Sequence, residues 1–94
     1  DGVLLLVAHI DPQPTSLLGE VEIVTKGFVY IQSSETLLEE IKALFYETAT
    51  PFLKSKYISW NEFKREMRNE VSRFVYQKTK RNPITIPVLI SIEQ

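Results

Sequence analysis

The sequence predicts an α+β domain of order ββααβ, a three-stranded mixed sheet in strand order 2-1-3 with two helices packed on one face. Three observations lead there. Residues 3–10 are apolar at both parities, which marks a central strand; Leu37 to Val75 carries apolar positions at helical spacing in two blocks; and the chain alternates strictly from Ile84 to Glu93.

In the first strand Val3, Leu5 and Val7 point one way, and Leu4, Leu6, Ala8 and Ile10 the other. Asp11-Pro12-Gln13-Pro14-Thr15-Ser16 cannot continue it, because prolines remove ladder donors and Asp and Ser favour turns, so a long hairpin loop is expected. The second strand is expected from about Glu20 to Ile31, with Val21, Ile23, Val29 and Ile31 on one face and Val24, Phe28 and Tyr30 on the other. Gly27 interrupts it, and a glycine inside a strand marks a bulge or a close backbone approach.

Ser33 or Ser34 can cap a first helix whose stripe is Leu37, Leu38, Ile41, Leu44, Phe45, Thr48 and Phe52; Pro51 is expected to kink or end it near residue 50. Ser59 with Glu62 three residues on forms a capping box for a second helix, and Ile58 is placed to staple onto Phe63. The buried stripe of this helix is Trp60, Phe63, Met67, Val71, Phe74 and Val75, and Pro83 prevents its continuation. The last strand sets Ile84, Ile86, Val88, Ile90 and Ile92 against Thr85, Pro87, Leu89, Ser91 and Glu93. Pro87 makes it an edge strand.

Two helices between the second and third strands bring the third in parallel to the first, on its free side, and both helices shield one face of the sheet. Nothing in the chain remains for the other face, which is therefore expected to meet other protein. Candidate interface residues are Leu4, Leu6 and Ile10, or their opposite set on the first strand, with Phe28 and Tyr30 as aromatic anchors. Packing of Phe28 and Tyr30 inside the domain is the open alternative.

Ninety-four residues suffice for one modest core, and 44% apolar with 24% charged residues is an ordinary globular composition. No segment has the apolar length of a bilayer span, so a soluble chain with no membrane partner is expected. The absence of cysteine excludes disulfides and thiolate metal sites and suits a reducing cytoplasm. The chain opens at Asp1 without an initiator Met and enters an apolar run at once, as expected of one domain cut from a longer protein.

Charge is uneven although the net is only −1: residues 1–53 hold eight acids against Lys26 and Lys42, and residues 54–81 hold nine bases against Glu62, Glu66 and Glu70. Such a dipole orients partners more than it shapes a fold.

Catalytic chemistry is hard to build from these residues. Metal-assisted phosphoryl chemistry needs clustered His, Asp and Glu, whereas His9 is the one histidine and sits in an apolar strand as a strand-end or interface residue. No nucleophile-elbow pattern surrounds any Ser, and three scattered glycines make no phosphate loop. Glu39, Glu40 and Glu47 read as a solvated helix face. Arg73, Lys78, Lys80 and Arg81 form a basic cluster able to contact phosphates, and the same residues equally serve as the cationic complement of a helix C-terminus.

Two segments together carry a family likeness. Gly27-Phe28-Val29-Tyr30 and the helix exit Tyr76-Gln77-Lys78-Thr79-Lys80-Arg81-Asn82-Pro83 resemble the strand and exit motifs of the ribonuclease J C-terminal domain, with Trp60 near the start of the second helix. Lys26 and Asn82 depart from it, standing where Arg is common. The resemblance implies a small C-terminal accessory domain over residues 1–94 that carries no catalytic or metal site and no cofactor. Its parent would be a cytoplasmic RNA-processing nuclease with a metallo-β-lactamase core, a β-CASP domain and two zinc ions, acting as 5′ to 3′ exonuclease and endonuclease on RNA. The domain's implied role is assembly of the parent into a homodimer or tetramer and support of its activity. A small RNA-binding module delivering substrate is the competing expectation, and an independent enzyme is a third.

Overall fold

The computed structural model describes residues 2–13, 15–28 and 34–92. Two strands, β1 (Val3–Pro12) and β2 (Thr15–Lys26), are followed by helices α1 (Glu35–Lys54) and α2 (Trp60–Thr79) and by strand β3 (Ile84–Ser91). The sheet order is β2-β1-β3, with β1 antiparallel to β2 and parallel to β3. This is the predicted ββααβ architecture.

Although β1 is apolar at both parities, its burial alternates residue by residue, because the two helices cover only one face. Leu4, Leu6, Ala8 and Ile10 lie beneath them with Val21 and Phe28. From α1 come Leu37, Ile41, Phe45 and Ala49, and from α2 Phe63, Met67, Val71 and Val75, each set spaced four apart along one helical face. Phe63 is the centre of an aromatic cluster, edge-on to Phe45, Phe52 and Trp60 with centroids 5.4–6.3 Å apart. Trp60 and Phe74, expected in the buried stripe, are only partly buried at its margin.

Three local expectations are corrected. The strands do not stop before a long loop: Asp11 pairs with Ser16 and Pro12 with Thr15, so β2 starts at Thr15 rather than near Glu20. Pro12 is tolerated at the strand end, where its carbonyl accepts from the Thr15 hydroxyl at 3.3 Å, while Gln13 N–H is held by the Asp11 side chain at 3.0 Å.

The bulge lies at Gly19, not at Gly27. Val7 pairs with Glu22 but His9 with Leu18, so Gly19, Glu20 and Val21 stand opposite Ala8 alone, and Gly19 takes φ +68°. Gly27 instead follows the end of β2. The expected Val29 and Ile31 of that strand lie outside the described residues, as do Tyr30 and Ser33.

Pro51 does not end α1, which continues one turn to Lys54. A proline so close to the C-terminus costs one ladder bond, and Phe52 and Leu53 beyond it still pack on the core.

Capping follows the sequence closely. Ser34 accepts from Leu37 N–H at 3.1 Å and Ser59 from Glu62 N–H at 3.3 Å. At the other end of α2, Lys80 adopts the left-handed conformation, φ 59°, and its N–H donates to Tyr76 O at 2.8 Å. Thr79 locks this exit, donating from its hydroxyl to Val75 O at 2.8 Å and accepting from Arg81 N–H at 3.1 Å.

Candidate interaction surface

The face of the sheet turned away from the helices is built by parity and register. In β1 it takes Val3, Leu5, Val7 and His9; in β3, their partners Ile84, Ile86, Val88 and Ile90; in β2, Lys26, Val24, Glu22 and, past the bulge, Leu18. Four rows cross the sheet: Lys26-Val3-Ile84, Val24-Leu5-Ile86, Glu22-Val7-Val88 and Leu18-His9-Ile90. All but three of these twelve positions are aliphatic, and the β3 edge is the most open, with Ile84 64% exposed and Ile90 42%. This largely aliphatic face is the candidate interaction surface of the domain.

Why β3 turns its isoleucines outward is explained by what lies beneath. Thr85, Pro87 and Leu89 face the helices, and the buried Thr85 hydroxyl meets Ser72 of α2, whose hydroxyl donates to it at 3.1 Å. The polar pair satisfies itself, so β3 can present its polar parity to the core.

The residues proposed from sequence fall in several places. Leu4 and Leu6 are fully buried, Ile10 is 4% exposed and Phe28 2% exposed, all against the helices. Of the two parities considered for β1, the open one is therefore the set opposite to Leu4, Leu6 and Ile10, and Phe28 is a core residue rather than an anchor on that face. The helices cover these side chains because α1 and α2 present two full apolar stripes to that side. Tyr30 lies outside the described residues. The outward isoleucines of β3 were visible as an alternating pattern, but their orientation needed one further signal: Ser72, a polar position between Val71 and Phe74, marks where a polar strand residue must dock.

The basic cluster at the end of α2 is largely engaged. Arg73 donates from Nη1 to both Glu70 carboxylate oxygens, at 3.1 and 3.2 Å. Lys78 Nζ lies 3.5 Å from Glu40 of α1 and 5.6 Å from the Phe74 ring centre; Lys80 Nζ is 5.5 Å from that of Tyr76. Arg81 is fixed at its backbone by Thr79. These contacts tie the cations to the domain's own surface and soften the charge they present.

His9 sits on the open face between Leu18 and Ile90. Among the described residues no three His, Cys, Asp or Glu side chains lie together as a set of metal ligands would. No helix is long and apolar enough to cross a membrane.

A three-stranded mixed sheet with two helices on one side and an aliphatic surface on the other defines a small α+β domain. Comparison with known proteins makes this particular: the model of the ribonuclease J C-terminal domain family matches residues 1–92, and the chain belongs to that family. It is 35% identical over 92 residues to "Ribonuclease J2" of Bacillus subtilis (strain 168), covering 98% of this chain and 17% of that protein. To "Ribonuclease J 2" of Staphylococcus aureus (strain NCTC 8325 / PS 47) it is 37% identical over 92 residues, 98% of this chain and 16% of the relative. The chain thus spans about a sixth of the length of these curated relatives.

Proposed function

We propose that this chain is the non-catalytic C-terminal accessory domain of a zinc-dependent, ribonuclease J-like nuclease that processes and degrades RNA in the cytoplasm. Its role is to hold the parent in a dimer or tetramer and so sustain its activity. The observation that carries the reading is the uncovered aliphatic face of the sheet. Left in water, each Å² of that surface forfeits roughly 25 cal/mol, and an interface recovers it. The zinc chemistry belongs to the parent's catalytic body, and no step of it is assigned to residues here. The ion pairs of Arg73 and Lys78 support assembly over RNA delivery as the primary task, because cations already paired release fewer counterions on binding phosphate.

The test is made in the full-length nuclease. Leu5→Asp with Ile86→Asp should lower its mass in sedimentation and reduce RNA turnover, while the circular dichroism of the domain is kept. Unchanged assembly in that variant would remove the open face from the mechanism. Loss of turnover with assembly intact would point to RNA delivery instead.

A further inference from the structure

A run of unpaired positive charge lies at the end of the helical layer opposite to the basic exit of α2. Of the eleven Lys and Arg residues, Lys42, Arg73 and Lys78 are paired with glutamates. Lys54, Lys56, Lys64, Arg65 and Arg68, which span the end of α1, the turn into α2 and the first half of α2, make no ion pair among the described residues. The helix dipole does not account for them. Lys54 complements the end of α1, but Lys64, Arg65 and Arg68 stand in the half of α2 nearer its positive end, where cations gain nothing. Nor are they neutralised across α2. Glu66 and Glu70 turn to α1, where they border a groove with Leu44 and Phe52, whereas Lys64 turns to the opposite flank, beside Leu89 and Ser91 of β3. Arg68 follows Lys64 by one turn, about 6 Å along the axis, and Ser72, a turn further on, is the residue that meets Thr85. Acids and bases of α2 thus occupy separate flanks, and the basic flank keeps its charge.

Two aromatic side chains stand among these cations. Tyr57 is 82% exposed, the most open large side chain of its kind among the described residues. Its turn is nonetheless fixed, since Ser55 N–H donates to Phe52 O at 3.1 Å and Ser55 Oγ donates to Tyr57 O at 2.9 Å. Lys56 Nζ lies 5.6 Å from the centre of the Tyr57 ring, and most of the ring is left in water. Trp60, the chain's one tryptophan, forms with Lys64 the wall of a cleft of about 270 Å³ that Ile10, Pro12, Leu89 and Ser91 complete. An apolar floor with one ammonium group at its wall suits a flat ring that carries an anionic group.

We infer that this end of the domain is a contact site for single-stranded RNA, with phosphates on Lys56, Lys64 and Arg68, one base stacked on Tyr57 and another lodged beside Trp60. Cations that follow a backbone and rings that accept any base are the combination by which single strands are held without sequence preference. A duplex keeps its bases stacked on one another and offers no ring face to Tyr57. An acidic polypeptide would use the cations and leave the ring idle. The choice of RNA rests on the reading of the parent as an RNA nuclease. The site lies at the other end of α2, a helix roughly 30 Å long, from Lys78, Lys80 and Arg81, and it leaves the open sheet face free for assembly. Its own affinity is weak; as a second contact on a strand that the catalytic body already holds, it acts through effective concentration.

Trp60 reports on the site directly. Titrating the 94-residue chain with oligoadenylate at low salt should quench its fluorescence, and Tyr57→Ala should weaken binding about tenfold with the salt dependence unchanged. Lys64→Ala/Arg68→Ala should weaken binding and also flatten the slope of log K against log [salt] by roughly 1.4, twice the ~0.7 of one single-strand phosphate contact. Circular dichroism confirms the fold of each variant. RNA binding without quenching of Trp60, or binding by both variants equal to that of the natural sequence, overturns the site, as does equal quenching by polyglutamate or by duplex RNA. In the full-length nuclease both variants should raise KM for long single-stranded RNA several-fold while sedimentation shows the same mass, and a KM equal to that of the natural protein overturns the inference. If the full-length protein degrades no RNA while the 94-residue chain still shows the quenching and both variant effects, the reading of the parent fails and the site stands. If the chain shows none of them and the full-length protein degrades RNA, the site fails and the reading of the parent stands.

Discussion

The hydroxyl of Tyr46 accepts a hydrogen bond from the backbone N–H of Val21 at 2.9 Å, tying the middle of α1 to the bulged segment of β2. Val21 is buried, and its position in the bulge leaves it outside the regular β1–β2 register. Tyr46 supplies the acceptor that the distorted ladder does not, and its ring meets Phe45 edge-on at 5.8 Å.

Tyr46→Phe keeps that ring and removes only the acceptor. The stranded N–H should cost about 1–2 kcal/mol, which in a domain of this size lowers the melting temperature by roughly 4–8 °C per kcal/mol. Thermal and urea denaturation would both read the loss. A melting temperature equal to that of the natural sequence would mean that water reaches Val21 and the bulge does not depend on α1.

Much of this architecture was legible because local and global signals agree. The doubly apolar β1 announced a central strand, Ser59 with Glu62 announced the start of α2, and Pro87 announced an edge. What escaped were features decided by tertiary contact. The Gly19 bulge goes with a tertiary contact, the hydrogen bond from Val21 N–H to Tyr46 of α1, that no window of sequence contains. Phe28 stayed open between an interface anchor and a core residue, because strand parity cannot be carried through Gly27, whose positive φ of +71° breaks it. Pro51 was read by a helix-interior rule although it stands in the last turn. The charged residues of the eventual face, Glu22 and Lys26, were visible throughout, but only the register with β1 and β3 shows that an aliphatic row lies between them.

Helix capping supplies a second prediction. Ser59→Ala should destabilise the domain by about 1 kcal/mol, since Glu62 N–H at the start of α2 loses its acceptor. Ser34→Ala should do the same to α1 through Leu37 N–H, and the two losses should add because the caps sit on different helices. Urea midpoints of the two single variants and the double variant check this. An unshifted midpoint for Ser59→Ala would remove the cap from the account of α2.

The isolated chain is expected to hydrolyse no RNA with Zn²⁺, Mn²⁺ or Mg²⁺ and to bind RNA weakly, with an affinity that falls steeply as salt rises. Lys78→Ala/Lys80→Ala/Arg81→Ala should weaken binding further and flatten the salt dependence, because fewer counterions are displaced. Filter binding across a salt series and a gel assay on 5′-monophosphorylated RNA measure both. Base-specific binding that persists at high salt, or turnover that follows the purified chain and disappears in a point variant, would contradict this expectation.

The last prediction concerns the corner where all three strands meet. Gly2, at φ +89°, accepts from Ile84 N–H through its carbonyl at 2.8 Å and so joins the entry of β1 to that of β3. A Cβ at Gly2 would lie 2.6 Å from both the Gly27 carbonyl carbon and the Lys26 carbonyl oxygen, whereas a Cβ at Gly27, φ +71°, would meet nothing closer than the Gly2 Cα at 3.5 Å. Both substitutions carry the left-handed penalty of roughly 1–2 kcal/mol, but only Gly2→Ala also forces two backbones apart. Gly2→Ala should therefore be clearly more destabilising than Gly27→Ala, by a further ~1 kcal/mol or more of strain, and should loosen the β1–β3 pairing. Hydrogen exchange at the Ile84 amide, whose acceptor is Gly2 itself, reads that loosening directly: Gly2→Ala should accelerate it beyond what the change in global stability accounts for, and Gly27→Ala should not. Equal losses in the two variants, with Ile84 exchange following global unfolding in both, would show that the backbones separate without cost and that close approach plays no part at this corner.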